Sequence, residues 1–155
     1  MTPQAKLIMD ATVSSAAVLA AATYTSPAID LLGVRFATID VSATVVTAAT
    51  QAGSPQTLKL QECDTAGGTY VDVVGFRGGP ALSATVDFVV GIGATSGQNA
   101  YKFNVNCTAG LRKRFLKVVA IPAVNTTFQV TANGFRMDIA PVTAAKTNVL
   151  SLIEG

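Results

Sequence analysis

Apolar and polar residues alternate along most of the chain after about residue 29, and this period of two predicts β-strands. In residues 57–62, for example, Leu58 and Leu60 fall on one face of a strand, and Lys59 and Gln61 fall on the other. No window repeats apolar residues at the three- and four-residue spacing of an amphipathic helix. The pattern therefore predicts an all-β protein.

Glycine, proline and asparagine divide this pattern into short strands. A hairpin is predicted where the strand at 57–62 turns at residues 64–68 and returns at 69–74, and a second hairpin is predicted around residues 122–125. The remaining predicted strands cover residues 29–32, 34–46, 84–90, 100–106, 115–121 and 126–135. Several short strands at this spacing predict an antiparallel, jelly-roll-like β-sandwich.

The length of 155 residues fits one domain. We expect its body at residues 29–139, an N-terminal arm or first strand at 1–28, and a C-terminal tail or strand at 140–155. The two terminal segments fit the pattern of standard sandwich strands least well, so we expect them to extend and link subunits. The candidate subunit-contact residues are Leu7, Ile8, Val149, Leu150, Leu152 and Ile153.

The N-terminal segment also partly fits a secretory leader. Lys6 precedes an apolar run at residues 16–22 that ends in an Ala-x-Ala pattern. Asp10 lies between this cation and the run, however, and Thr12 and nearby serines interrupt the part that should be most apolar. We therefore interpret the segment as an alanine-rich arm or first strand.

Charged residues are scarce in this chain. They make up 13% of it, where about 25% is usual, and half of all residues are apolar. The mean hydropathy is +0.46, yet no run of about 18 apolar residues is present that could cross a membrane. The surplus apolar surface predicts contact with other protein subunits, because the cores of such interfaces are poor in charge. We expect no membrane partner.

The inventory of reactive side chains points away from catalysis. The chain has no histidine, which removes the commonest general base and metal ligand. Cys63 and Cys107 have no metal-ligand spacing, and they could be either bridged or free. We expect no enzyme activity, no catalytic or metal-binding residue, no cofactor and no small-molecule substrate.

One dense basic cluster is present, formed by Arg112, Lys113 and Arg114. It is a candidate electrostatic contact with an acidic patch on a neighbouring subunit or with packaged nucleic acid. The simpler interpretation, which we favour, is that these cations keep a sheet edge soluble, because no aromatic residues are interleaved with them. With a net charge of only +2, we do not expect nucleic acid to be a partner.

The predicted hairpin at residues 58–73, with the sequence LKLQECDTAGGTYVDV, resembles a pattern in small structural proteins of tailed bacteriophages. A strand ends in Leu-Gln-Glu-x-Asp, a glycine turn follows, and an aromatic residue and Asp-Val begin the next strand. The Ala/Thr/Ser-rich start and the late strand at residues 115–119 are similar to those of capsid decoration, or cement, proteins. The resemblance extends loosely over residues 24–135, and the two cysteines have no place in it.

This resemblance implies a non-catalytic, commonly trimeric subunit on the capsid surface of a virion. It would bridge major capsid proteins and hold the shell against internal pressure, with no catalytic residues. Two alternatives remain open at the level of sequence. One is a tail or head-fibre component of a phage, and the other is a secreted β-sandwich module for adhesion or carbohydrate binding, which should have bridged cysteines and exposed aromatic residues.

Overall fold

The structure is a computed structural model that describes residues 6–46, 55–90, 97–108, 111–136 and 151–154. Strands dominate this part of the chain, and no helix in it is long and apolar enough to cross a membrane. The strands are β1 (Lys6–Val18), β2 (Tyr24–Thr25), β3 (Ile29–Asp30), β4 (Phe36–Val45), β5 (Pro55–Cys63), β6 (Val71–Gly79), β7 (Phe88–Val89), β8 (Gly97–Asn106), β9 (Phe115–Pro122), β10 (Thr126–Arg136) and β11 (Ser151–Glu154). The all-β prediction is confirmed.

The strands form two sheets. The first has the order β1-β10-β4-β8-β11, and the second has the order β2-β9-β5-β6-β7, with β3 also paired to β9. All pairs are antiparallel except those of the short strands β7 and β11, which run parallel to β6 and β8. Among the described strands, the chain passes from one sheet to the other six times: between β1 and β2, β3 and β4, β4 and β5, β7 and β8, β8 and β9, and β9 and β10. The predicted antiparallel, jelly-roll-like sandwich is confirmed.

The core lies between the two sheets and follows from the alternation in each strand. The first sheet turns inward Ile39, Val41, Phe103, Phe128 and Val130, and the second turns inward Leu58, Leu60, Phe76, Leu116 and Val118, all of them fully buried. Aromatic contacts join the sheets: the Phe76 and Phe103 ring centroids are 5.9 Å apart, and Tyr24 stacks on Phe128 at 5.1 Å.

The first predicted hairpin is present. Strand β5 pairs with β6 through Gln61 and Asp72 and through Glu62 and Val71. Within the turn, the hydroxyl of Tyr70 donates a hydrogen bond of 3.0 Å to the carbonyl oxygen of Ala66. The local signal, a glycine turn between two alternating runs, was sufficient here.

The prediction of a second hairpin, around residues 122–125, is wrong. Strands β9 and β10 lie in different sheets, and residues 123–125 carry the chain across the edge of the core. Leu116 and Val118 on β9 face Phe128 and Val130 on β10 across that core. Because the apolar faces of β9 and β10 meet each other across the core, the two strands lie in opposite sheets and not side by side.

Two other predicted strands are shorter than expected. The strand at 84–90 is reduced to β7, because Asp87 turns back to bind β6. The strand at 29–32 ends at Asp30, because the chain turns at Gly33, whose φ is +78°, and the Val34 amide donates to the Leu31 carbonyl at 2.9 Å. Glycine adopts this conformation without steric cost.

The ends of the chain also differ from the expectation of extended linkers. Strand β1 pairs antiparallel with β10. Lys6 lies opposite Arg136 at one end and Val18 lies opposite Thr126 at the other, with two register shifts between them. Lys6–Val18 thus forms the first strand, one of the two forms expected for residues 1–28, and only the expectation that this segment packs poorly as a sandwich strand is wrong for these residues. Strand β11 likewise pairs with β8. Residues 1–5, 137–150 and 155 lie outside the described residues.

Candidate interaction surfaces

The two ends of the sandwich differ in charge. Strands β4, β8, β9 and β10 each run from one end to the other, so their terminal turns gather in two groups. We call the first group the basic end; it comprises residues 31–35, 107–108, 111–114 and 136. We call the second group the uncharged end; it comprises residues 19–23, 46 and 122–125.

The basic end contains an open cleft of about 510 Å³. The turn between β3 and β4, the residues that follow β8, the turn before β9 and the last residue of β10 form its walls. Its lining residues are Leu31, Leu32, Gly33, Val34, Arg35, Cys107, Thr108, Arg112, Lys113, Arg114 and Arg136. The predicted basic cluster therefore forms one wall of a cleft that holds two further arginines.

Arg114 links the turn before β9 to β3. Its Nε and Nη2 donate to the two carboxylate oxygens of Asp30 at 2.9 and 2.7 Å. The side-chain hydrogen bonds from Arg114 lower the pKa of the Asp30 carboxyl below its usual value. The Leu31 amide also donates to the Arg114 carbonyl at 2.8 Å, so this wall is held by both backbone and side chain.

Lys113 is held by the β5–β6 hairpin. Its amide donates to a carboxylate oxygen of Glu62 at 3.2 Å, and its Nζ lies 3.4 Å from a carboxylate oxygen of Asp64. The second contact is exposed, so it contributes little to stability. It does hold the lysine at the rim of the cleft.

Arg112 lies over an aromatic ring of the core. Its guanidinium carbon is 5.5 Å from the centre of the Phe76 ring, and Nη1 donates to the Leu111 carbonyl at 3.0 Å. No described carboxylate forms an ion pair with it. The interpretation that Arg112, Lys113 and Arg114 protect a sheet edge is wrong, since they precede β9, which has neighbours on both sides.

Cys107 lines the same cleft as a neutral group. Burial raises the pKa of its thiol to about 12, so the thiol is protonated at neutral pH. Both Cys107 and Cys63 are free thiols in the structure. The question that the sequence left open, bridged or free, is answered in favour of free thiols.

The uncharged end is formed by three turns joined by hydrogen bonds. The amides of Ala20 and Val46 donate to the side chain and the main-chain carbonyl of Asn125 at 2.9 and 3.0 Å, and the Ala21 amide donates to the Pro122 carbonyl at 2.9 Å. Leu19 and Val46, which are 70% and 61% exposed, therefore lie close to the same asparagine. The residues that define this end include no charged side chain.

The sequence contains a signal for this surface that the alternation of apolar and polar residues does not reveal. Three long runs have no charged residue: 11–29, 41–58 and 118–135. Each run contains one part of the uncharged end. Only the fold shows that these parts meet, because they belong to connections between strands that are distant in the sequence.

The predicted subunit-contact residues are not brought together. Leu7 pairs with Phe135, and Ile8 falls at a register shift in β1, which is one edge of the first sheet. Leu152 and Ile153 lie in β11 at the opposite edge of that sheet. Val149 and Leu150 lie outside the described residues. A role of these six residues in subunit contact stays a prediction.

Comparisons with known proteins are sparse for this chain. No family model and no curated protein matches it. Among solved structures, it is similar to a chain of the cowpea mosaic virus top component, the naturally occurring empty particles, with a TM-score of 0.31 and 14% sequence identity. The match covers 72% of this chain and 62% of that chain. A similarity this low assigns neither a family nor a function.

Proposed function

We propose that this protein is a non-catalytic structural subunit of a virion, and specifically a decoration protein on the capsid surface of a tailed bacteriophage. In that role it would form a homotrimer and bridge major capsid proteins. The observation that carries the proposal is the uncharged end, where hydrogen bonds to Asn125 place the exposed side chains of Leu19 and Val46 near each other and no residue of this end is charged. Such a surface is suited to burial against another subunit.

The small number of exposed apolar side chains at the uncharged end limits how tightly one copy could bind. Burying an exposed leucine or valine contributes about 1.5–3 kcal/mol, whereas association costs on the order of 4–15 kcal/mol in lost freedom of movement. Leu19 and Val46 together contribute about 3–6 kcal/mol, which at best offsets the low end of this cost, so a single copy would bind weakly. Binding through several copies at once overcomes this limit, because the second and third contacts of a linked assembly form at a high effective concentration, and this favours a trimer on a repeating lattice.

The edge of the first sheet provides a second contact of the same kind. Strand β1 has thirteen residues and pairs on one side with β10, and no described strand pairs with its other side. A strand of a neighbouring subunit could add to this edge by main-chain hydrogen bonds. The predicted contact residues Leu7 and Ile8 belong to this strand.

The test uses the full chain and capsids of its source virus from which the protein has been stripped. Size-exclusion chromatography with light scattering gives the oligomeric state, and co-sedimentation gives rebinding to shells. We expect trimers that rebind. The double variant Leu19→Glu, Val46→Glu should bind at least tenfold more weakly, because charge would be buried at the contact.

Val74→Glu is the matched control, because Val74 is 71% exposed but lies on β6, away from the uncharged end. It should rebind as the unmodified protein does. A monomer that does not bind shells would contradict the proposal, as would equal loss of binding in the double variant and the control.

Two structural features disfavour the alternative of a secreted carbohydrate-binding module. The two cysteines are free, and Tyr24 and Tyr101 are buried in the core, where they cannot stack on a sugar. Tyr70 is covered by Lys117, whose Nζ lies 4.1 Å from the ring centre. A tail or head-fibre position would be distinguished by electron microscopy of particles labelled with an antibody against this chain.

A further inference from the structure

The cleft at the basic end has an unbalanced charge. Five of its lining residues are cations: Arg35, Arg112, Lys113, Arg114 and Arg136. None of the described residues that line it is a carboxylate, and the one other acidic group, the Cys107 thiol, is neutral. Cations at this density attract and orient an anionic partner.

The wall of the cleft is held in place before any partner arrives. Asp30 fixes Arg114 through two hydrogen bonds, and Glu62 fixes the backbone of Lys113. The Phe76 ring and the Leu111 carbonyl hold the guanidinium of Arg112. A partner therefore binds to cations whose positions are largely set, which lowers the entropic cost of binding.

The cleft is also partly apolar, and this decides between classes of anion. Leu31, Leu32 and Val34 form one wall, and the Leu32 side chain is 70% exposed. No aromatic side chain is among the described lining residues, so the stacking platform that single-stranded nucleic acids use is missing there. A cleft of this volume accommodates a few side chains of a peptide.

We propose that this cleft binds an acidic peptide segment of a neighbouring subunit, with carboxylates on Arg112 and Arg136 and an apolar side chain against Leu32. This inference deepens the proposed function, because it states the chemistry of a partner that a structural subunit meets. It needs no covalent step. The uncharged end, at the opposite end of the sandwich, is left free for a different contact.

The test measures fluorescence anisotropy of a labelled peptide in which glutamates alternate with leucines, titrated with the full chain. Two matched peptides replace every glutamate with glutamine or every leucine with serine, and labelled oligothymidylate represents nucleic acid. We expect the glutamate–leucine peptide to bind more tightly than the other three probes. Its affinity should fall as salt is raised, because the contacts are largely electrostatic.

Variants assign the binding to the cleft. Arg112→Gln and Arg136→Gln should each lower the affinity for the glutamate–leucine peptide about tenfold, the effect of losing one charge-assisted contact. Lys102→Gln is the matched control, because Lys102 pairs with Asp40 in the middle of β8, away from the cleft. Leu32→Ser should lower the affinity for the glutamate–leucine peptide and leave the affinity for the glutamate–serine peptide unchanged. If Arg112→Gln unfolds the chain because the contact with Phe76 is lost, Arg136→Gln still tests whether the cleft binds the peptide.

Several outcomes would overturn the inference: no binding of the peptide, equal binding of its glutamine form, equal loss in Lys102→Gln, or tighter binding of oligothymidylate. These outcomes are distinct from failure of the proposed function. A chain that rebinds shells but does not bind the peptide refutes only the inference that the cleft binds an acidic segment. A chain that binds the peptide but no shell refutes only the virion role.

Discussion

At the scale of single residues, Asp87 shows how one side chain can hold a loop in place. Its Oδ2 accepts hydrogen bonds from the amides of Gly75 and Arg77 at 2.7 and 3.0 Å and from Nε of Arg77 at 2.9 Å, and its Oδ1 lies 2.6 Å from Nη2 of Arg77. The side-chain hydrogen bonds from Arg77 hold the pKa of the Asp87 carboxyl well below its usual range. The loop at residues 80–87 is therefore fastened to β6.

This arrangement predicts a pH-dependent contribution to stability. Because folding lowers the pKa of Asp87, its contribution is fully present above the unfolded value of 3.8 and is lost as the pH falls toward the folded value. Asp87→Asn should lower the melting temperature by roughly 5 °C at pH 7 and by less at pH 3. Circular dichroism melts at the two pH values measure this.

Asp72→Asn is the control for that measurement, because Asp72 forms a more exposed ion pair with Lys59. It should change the melting temperature little at either pH. If Asp87→Asn lowers the melting temperature equally at pH 3 and pH 7, the ionised Asp87 carboxylate does not stabilise the fold in the way assigned to it.

A second prediction at this scale concerns Cys107. Since the thiolate is the reactive form and burial raises the pKa of this thiol to about 12, the folded protein should be alkylated slowly at pH 8. Iodoacetamide labelling of the Cys63→Ser variant, followed by mass spectrometry, isolates Cys107. The same variant in denaturant should react at least tenfold faster; equal rates would contradict the burial of this group.

At the scale of elements, the parallel pairing of β6 with β7 depends on Gly78. A Cβ atom at this position would lie 2.4 Å from Cζ of Phe88 and 2.5 Å from the carbonyl oxygen of Leu58. Phe88 also packs edge-on against Phe103 of the core, with ring centroids 6.3 Å apart. The missing side chain therefore lets β7 lie close to β6 and close that edge of the core.

Gly78→Ala should accordingly destabilise the protein by about 1–3 kcal/mol, the usual cost of forcing extra atoms into a packed region. Urea unfolding followed by tyrosine fluorescence measures this change. Gly67→Ala is the control, because nothing lies within 4 Å of the position that its Cβ would occupy. If the two variants are equally stable, β7 does not depend on that close approach.

The elements also show how far the sequence predicts this fold. The β5–β6 hairpin is predictable because its turn and both strands are adjacent in the chain. The β9–β10 connection is not, because alternation shows that each strand has an apolar face but not which strands those faces meet. The same limit applies to the candidate site: Arg112, Lys113 and Arg114 stand out as a triplet, while their partners Asp30, Glu62, Asp64 and Phe76 come from three distant segments.

At the scale of the whole molecule, the two ends offer contacts of opposite physical kind. The basic end offers fixed cations around a cleft, and the uncharged end offers apolar side chains. Electrostatic contacts weaken as salt screens them, whereas apolar burial does not depend on such screening. The strength of each contact should therefore respond differently to ionic strength.

This difference gives a whole-molecule prediction. Raising sodium chloride from about 0.05 to about 0.5 M, where screening becomes strong, should release an acidic peptide from the basic end but leave binding to shells through the uncharged end unchanged or stronger. Peptide anisotropy and co-sedimentation with shells, measured at the same salt concentrations, give the two effects. Shell binding that is lost in parallel with peptide release would show that one surface makes both contacts.

The pairing of β1 with β10 has a consequence for how the protein is made. Lys6 is matched with Arg136, so the strand that leaves the ribosome early must wait until its partner has been synthesised. During that delay β1, which has no charged residue after Asp10, is open to wrong association, and closing so distant a pair slows folding. Wrong association between nascent chains should therefore be most frequent in the interval between synthesis of β1 and synthesis of β10.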